Sequence, residues 1–342
     1  MHDIAVIGGG PAGTHAAWKA ALLYRTAVLF DKGRRFSRIY WSPQVDNLPG
    51  QYAIKGRDIV GGGYDNIATY QEDIGREFVT VHEDKDVTQV RRLDDGYEIT
   101  ASSKDGDVVE RAKVVVFATG CQDAQPKLAE FRKRDIEAVL PYANKGLADY
   151  CLLCDGHTVE GKDVAVIGCD PGSRGIAKSL KANFGAKTSI IPYCNVREEG
   201  TEGPADPQED WKAVEDDLKN WDIPLLYGRI ESFTGIKDGR FGVVFEDGTE
   251  HSFDKAWISM GWYRVANGPA KDIGAALDED GFVKTDPDGR VLDDAGEVIP
   301  GAYCIGDLRS GTWKQIPIAW GQAEAAVIDA FVSNRRMETM RR

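Results

Sequence analysis

The 342-residue chain contains no run of about 18 apolar residues, so no segment reads as a membrane span. Its opening, "MHDIAVIGGG", lacks the basic stretch and the small-residue cleavage site of a secretory leader and reads as a first strand instead. Positive charge is in deficit. Against 55 Asp and Glu stand 42 Lys and Arg, a formal net charge of −13, which speaks against nucleic acid as a partner because a phosphate backbone needs a basic face. The basic residues that exist cluster in "KGRR" (Lys32–Arg35), "FRKR" (Phe131–Arg134) and the terminal "RRMETMRR"; such runs are as a rule solvated surface. Cysteine is too sparse, at six residues, for a disulfide scaffold. The expected setting is the cytoplasm, where closely spaced cysteines are catalytic or metal-binding sooner than structural. With 42% hydrophobic and 28% charged residues the chain can bury a packed core, and its length suits about two domains of ~150 residues.

What is present begins at once. "DIAVIG" (Asp3–Gly8) is a short β-branched run of the kind buried parallel strands use. "GGGPAG" follows, with Gly8, Gly10 and Gly13 in G-x-G-x-x-G spacing, then the helical "THAAWKAALLY" and a second strand, "TAVLFD" (Thr26–Asp31), that closes on an acid. Gly8 permits the tight turn, Gly10 lets backbone approach a pyrophosphate, and Gly13 packs helix on strand. The helix N-terminus faces the phosphates, and Asp31 can accept from a ribose hydroxyl. Further on, "VVVFATG" (Val114–Gly120) and "GAYCIGD" (Gly301–Asp307) are strands ending in small-residue turns. The second sets Asp307 at a strand's C-terminal end, where open α/β sheets bind ligands. A helix, "PIAWGQAEAAVIDAFV", follows it. Because these pieces lie at opposite ends of the chain, the expected architecture is α/β with two Rossmann-like domains, the second inserted in the first. Residues 1–118 and 250–342 would form one domain and 119–249 the other.

The insertion repeats the strand but not the turn. After "DVAVIG" (Asp163–Gly168) comes "CDPGSRG", which puts Asp170 where a dinucleotide turn needs glycine and Ser173 where it needs Gly or Ala. A carboxylate at position 170 takes steric room and repels phosphate. The next strand, "TSIIPYC" (Thr188–Cys194), ends without an acid for a ribose and without an arginine pair for a 2′-phosphate; Arg197 is the nearby cation. The topology is that of a dinucleotide domain, with little of the binding chemistry.

Between the two units lies "DYCLLCDG" (Asp149–Gly156), with Cys151 and Cys154 in C-x-x-C spacing. Four tasks suit such a pair: passing electrons, holding zinc, stapling a loop, or filling a core as small apolar thiols. Zinc would need two more ligands. Cys121, Cys169, Cys194 and Cys304 are scattered without a second C-x-x-C, His157 is badly spaced, and no metal is expected. Those four cysteines read as packing residues. The "CDG" context favours a redox pair. A thiolate, not a thiol, attacks a disulfide, so an activating group is required. An anionic neighbour alone would raise a thiol's pKa, so the useful role for Asp155 is general acid and base.

Taken together, "GGGPAG", "VDNLPG" (Val45–Gly50), "ATG" (Ala118–Gly120), "YCLLCDG", "GAYCIGD" and "KQIPIAWGQAEAA" (Lys314–Ala326) resemble, in order and spacing, the low-molecular-weight thioredoxin reductase family across nearly the whole chain. The resemblance implies FAD in the first domain, an inserted NADPH domain, a redox disulfide beside the flavin and a homodimer. It places Gly8, Gly10, Pro11, Ala12, Gly13, Asp31, Lys32, Arg38, Asn47, Val87, Ala118, Thr119, Gly120, Gly306, Asp307, Lys314, Gln315 and Ile316 at the flavin cofactor. Asn47 falls by the ring, Asp307 on the ribityl chain, and Gln315 with Ile316 at the pyrimidine end. It makes Cys154 the sulfur nearest the flavin and Cys151 the outer, interchange thiol, with a thioredoxin-like protein as disulfide substrate. Asp31 stands where the family more often has Glu, Arg38 where it has Gln, and Lys314 where it has Arg. The second glycine-rich turn and the family's His-Arg-Arg segment are missing. The chain therefore looks like the NADPH-independent subgroup, above all the deeply rooted thioredoxin reductases, with ferredoxin as candidate donor. Lys32, Arg34, Arg35, Arg132, Arg134, Arg335 and Arg336 are the candidates for steering it. The alternative runs the chemistry backwards, as a dithiol oxidase that forms disulfides with oxygen as acceptor.

Overall fold

A computed structural model of the chain describes residues 1–126, 128, 136–168, 171–193 and 211–340. In chain order the elements are β1 (His2–Ile7), α1 (Pro11–Leu22), β2 (Ala27–Asp31), α2 (Gly56–Ile74), β3 (Val79–Glu83), β4 (Asp86–Leu93), β5 (Gly96–Ser103), β6 (Gly106–Phe117), β7 (Cys121–Asp123), α3 (Ile136–Ala143), β8 (Ala148–Asp149), α4 (Leu152–Asp155), β9 (Asp163–Ile167), α5 (Pro171–Phe184), β10 (Lys187–Ile191), α6 (Trp211–Lys219), β11 (Ile230–Thr234), β12 (Phe241–Phe245), β13 (Glu250–Phe253), β14 (Lys255–Ile258), β15 (Tyr263–Val265), α7 (Gly268–Lys271), β16 (Arg290–Leu292), β17 (Val298–Cys304) and α8 (Ile316–Met340). Among the described residues, no helix is long and apolar enough to cross a membrane. Cys169, Asp170, Cys194, Arg197, Arg132 and Arg134 lie outside the described residues, as do the side chains of Arg335 and Arg336.

Contacts divide the chain into two compact units: Met1–Tyr40 with Leu48–Gln122 and Val265–Arg342, and Trp41–Asn47 with Asp123–Arg264. The boundary expected after residue 249 is thus displaced. β14 pairs in parallel with both β9 and β8, which ties the stretch after residue 250 to the second unit's sheet. Residues 41–47 also fall with the second unit, where Asp46 pairs with His157.

The first unit is built on a sheet of order β16-β17-β6-β1-β2-β3, extended by β5 and β4. β17, β6, β1, β2 and β3 run parallel. β6 does double duty. Its first half forms a hairpin with β5 up to Ala112, and its second half joins the parallel core against β1. The alternation of β1 explains its unbroken apolar run: Ile4 and Val6 face one buried cluster, Ala5 and Ile7 another, so both faces must be apolar. α1 presents Ala16, Ala17, Ala20 and Ala21, all without solvent exposure, to the cluster that also holds Ala323, Ala326 and Ala330 of α8. Small side chains let these helices lie close.

The second unit has a parallel sheet, β10-β9-β14-β8, and an antiparallel one, β11-β12-β13. Ala165, Ile167, Ala256 and Ile258 share a cluster with Phe241, Val243 and Phe245 of the antiparallel strands. On the opposite face Val164, Val166, Ile190 and Trp257 pack with Ala177 and Leu180 of α5 and with Val159. The fold is α/β, with Rossmann-like units.

Candidate functional site

The first unit's turn is shaped by what cannot fit there. Gly8 has φ +111°, and a β-carbon on it would stand 2.4 Å from the Ala118 carbonyl oxygen. A β-carbon at Gly13 would stand 1.7 Å from the Gly8 carbonyl oxygen, so helix and strand touch through glycine. Gly10 is different: the nearest atom to its missing β-carbon is the Ser37 hydroxyl at 3.4 Å, which leaves open room beside the backbone. Gly10 caps α1, with Pro11 at the first helical position, where no N–H is needed.

Three strand ends meet here. β1, β6 and β17 are neighbours in the sheet, and their C-terminal ends deliver Gly8, the run Ala118-Thr119-Gly120, and Gly306-Asp307. A β-carbon at Gly306 would press on the Ala12 methyl at 2.9 Å, and the one at Gly120 would meet only the Asp307 β-carbon at 4.0 Å. Thr119 donates its hydroxyl to the Ala266 carbonyl at 2.5 Å. The crevice lies where β2 departs on one side of β1 and β6 on the other, the switch point at which such sheets bind ligands. Arg38 and Asp307 form an ion pair at 3.3 Å, so the residue that replaces the family's Gln is held by the expected ribityl acid.

Asp31 ends β2, nearly buried, and accepts from the Gly33 N–H at 3.0 Å and from the Tyr64 hydroxyl at 2.5 Å. Each carboxylate oxygen keeps a second lone pair for a ribose hydroxyl. Burial, and then the charge of Asp31, push the Tyr64 hydroxyl well above its ordinary pKa, which makes it a fixed donor. Arg34 lies 4.1 Å over the Tyr64 ring and pairs with Glu83 at 2.5 Å. Tyr64 was not legible as a site residue, because α2 joins β2 only through the fold. Val87 sits on β4 two residues past Lys85, whose N–H bonds the Asp31 carbonyl, and packs against the core. Lys32 is exposed, its ammonium 5.2 Å over Phe36. Lys314 lies 3.8 Å over Phe282, Gln315 donates its N–H to the Trp313 carbonyl, and Ile316 opens α8. Asn47 falls with the second unit. The open backbone at Gly10 and Gly120, together with the Asp31 acceptor, fits a flavin dinucleotide.

In the second unit Cys151 and Cys154 form a disulfide, with α-carbons 5.3 Å apart, at the short helix α4. Leu153 between them is exposed. The N–H groups of Cys154 and Asp155 both bond the Cys151 carbonyl, at 3.1 and 3.0 Å. Gly156 is required for packing rather than for a special dihedral: a β-carbon there would strike the Phe184 ring at 2.7 Å. Burial, with the Asp149 charge behind it, pushes the Asp155 carboxyl up to about 7. His157 is paired with Asp46 at 3.0 Å, and among the described residues no group of three or more His, Cys, Asp or Glu side chains is placed to hold a metal. Cys121 and Cys304 are buried cysteines outside the disulfide, and burial pushes the Cys304 thiol far up.

Gly168 and Ser173, the described ends of the inserted turn, are better packed than their sequence suggests. Gly168 is needed, since a β-carbon there would stand 1.9 Å from the Ser259 carbonyl oxygen and 2.4 Å from the Ser173 hydroxyl. Ser173 is fully buried and donates to the Ser259 carbonyl at 3.0 Å, so it does the packing work of the third glycine and is no defect there. Of the two departures inside the turn, Asp170 is the one that remains.

Residues 2–150 match the family model described as pyridine nucleotide-disulphide oxidoreductase. Across 96% of its length the chain aligns with the F component of the alkyl hydroperoxide reductase of Staphylococcus aureus at 27% identity, and with an NADH dehydrogenase of Ferdinandcohnia aciditolerans at 26%. The chain spans only 58% and 57% of the lengths of these two relatives. In fold it is similar to the thioredoxin reductase of Streptococcus pyogenes, with a TM-score of 0.74, 23% identity, and 98% and 99% of the two chains covered.

Proposed function

We propose that the protein is an FAD-dependent disulfide oxidoreductase of the thioredoxin reductase type, acting on the disulfide of a thioredoxin-like protein with an electron donor other than NADPH, as in the deeply rooted members of that family. The observation that carries this is the Cys151–Cys154 disulfide followed directly in the chain by Asp155, whose carboxyl is pushed up to change protonation near neutrality. A bound flavin supplies storage for two electrons and their release singly or in pairs. Gly8, Gly10, Gly13 and Asp31 would hold its pyrophosphate and ribose, and Ala118–Gly120 and Asp307 the segment toward the ring.

In the reduced pair, Cys151 attacks the substrate disulfide as a thiolate, and Cys154 then displaces the substrate sulfur and closes the ring again. Asp155 moves the proton that each thiol must lose or regain. Asp170, a carboxylate in a phosphate turn, supports a donor that is not a pyridine nucleotide, and ferredoxin is the candidate. Arg34 pairs with Glu83, and the exposed Lys32 and Arg35 of the same cluster would help to steer it. A cytoplasmic homodimer is the setting that goes with this reading.

The test is trapping. A Cys154→Ser variant, incubated with an oxidised thioredoxin-like protein, is expected to form a mixed disulfide through Cys151, and a Cys151→Ser variant is not. Failure of both variants to form any adduct removes the proposed substrate class. Hydrogen peroxide released on adding a small dithiol would replace it with the dithiol oxidase.

A further inference from the structure

A lysine that opens the apolar run "KAWI" is unusual, because a buried parallel strand rarely begins on a charge. In β14 the register sets Lys255 opposite Val164, and Trp257 opposite both Val166 and, on β8, Asp149. Partners in register share a face, so Lys255 and Asp149 sit diagonally on the face covered by the redox segment through Leu152 and Val159. Lys255 is 7% exposed and its ammonium pairs with the Asp149 carboxylate. It also donates to the Thr158 hydroxyl at 2.8 Å, and that hydroxyl donates to the Asp155 carbonyl at 2.7 Å. Lys162 reaches the Thr158 carbonyl at 2.5 Å. A buried ion pair is costly as a mere staple, since apolar side chains of like volume do as well. This one stands two residues before Cys151 and is tied to the backbone of Asp155.

We propose that the Asp149–Lys255 pair is a positioning device for Asp155: the lysine fixes the redox segment through Thr158 and, against burial, favours the carboxylate form of Asp149, and that anion keeps the proton on Asp155 until a sulfur needs it. The proposal rests on the redox role of the cysteine pair. The step balances when written in the direction a dithiol reagent drives it, the reverse of substrate reduction. An incoming dithiol thiolate bonds to Sγ of Cys151 as the Cys151–Cys154 bond breaks. The electron pair of that bond stays on Sγ of Cys154, which takes the Asp155 proton and leaves a carboxylate. The second sulfur of the reductant then releases Cys151 as a thiolate. The charges that act on the Asp155 carboxyl are Asp149 from β8, Lys255 from β14, His157 from the following turn and Asp46 from the 41–47 segment; burial raises the pKa of Asp149 itself, and Lys255, Lys162 and His157 oppose that rise.

The experiment follows reduction of the disulfide in the full-length purified protein by dithiothreitol, quenched with an alkylating reagent and read by mass, from pH 5 to 9. The rate is expressed per dithiothreitol thiolate. For the unaltered protein this corrected rate falls as pH rises through about 7, as the donor proton is lost. Asp149→Asn leaves Lys255 acting on Asp155 alone, and the midpoint moves down by about one pH unit or more, a tenfold change in proton affinity. Lys255→Met removes the cation from a carboxyl cluster that then holds its last proton more tightly, and the midpoint moves up. Midpoints that stay put, or move in the same direction, overturn the proposal. Should a lone buried charge prevent either variant from folding, infrared difference spectra of the unaltered protein decide. One carboxylic acid band, absent from Asp155→Asn, is expected to vanish through neutrality; a second band, from protonated Asp149, overturns the proposal. A disulfide that no dithiol reduces at any pH would instead remove the redox role itself.

Discussion

The two nucleotide-type turns of the chain, at Gly8–Gly13 and Gly168–Ser173, solve the same packing problem with different residues. In each, the first glycine is pressed against a neighbouring strand: Gly8 against the Ala118 carbonyl, Gly168 against that of Ser259. At the third position they part. Gly13 is glycine because the Gly8 carbonyl leaves no room for a β-carbon, whereas Ser173 has the room and uses its hydroxyl to bond Ser259. The middle position is left over once packing is satisfied. Gly10 borders open space, and its counterpart is Asp170. A glycine motif thus carries two separable demands, one from the fold and one from the ligand.

Substitutions separate these demands. Gly13→Ala forces a methyl onto a backbone carbonyl that cannot yield. We expect the first unit to lose about 4 kcal/mol or more and the purified protein to lose its flavin colour, measured by denaturant titration and absorbance. Gly10→Ala meets nothing closer than the Ser37 hydroxyl, so stability should change by less than about 1 kcal/mol while flavin affinity drops roughly tenfold or more. Equal effects from these two variants would erase the distinction between fold and ligand. In the second turn, Ser173→Ala removes a buried hydrogen bond and is expected to cost about 1 kcal/mol in urea unfolding, with no change in flavin content.

The smallest effect concerns pH. The folded-state pKa of Asp155 is raised to about 7 from an ordinary carboxylate value, so the folded chain holds a proton that the unfolded chain has already released. Its contribution to stability is complete below about pH 4 and is lost as pH rises to about 7. Asp155→Asn should flatten that decline, and an unchanged slope of stability against pH would place the carboxyl at its ordinary value.

The local parts of this arrangement were legible from the residues alone. The order of strand, glycines, helix, strand and acid from Asp3 to Asp31 appears as β1, α1 and β2, because a βα unit closes within about 30 residues. The cysteine spacing, the Asp155 beside it and the long final helix were equally local. What was hidden depends on strands distant in sequence. β14 enters the second sheet between β9 and β8, a pairing with no local signature, so the boundary at residue 249 fell short of Arg264. Lys255 meets Asp149, and Tyr64 meets Asp31, only through such pairings. The charge at the head of "KAWI" was the one trace of the first in the sequence. Ser173 misled for the opposite reason: as a motif residue it is a departure, and as a packed side chain it fits.

The proposed contrast, a first turn that would hold a flavin dinucleotide and a second that would not serve NADPH, is tested most directly by anaerobic stopped-flow absorbance of the purified flavin-bearing protein. Micromolar NADPH is predicted to leave the flavin spectrum unchanged while reduced ferredoxin bleaches it; rapid bleaching by NADPH would contradict the account.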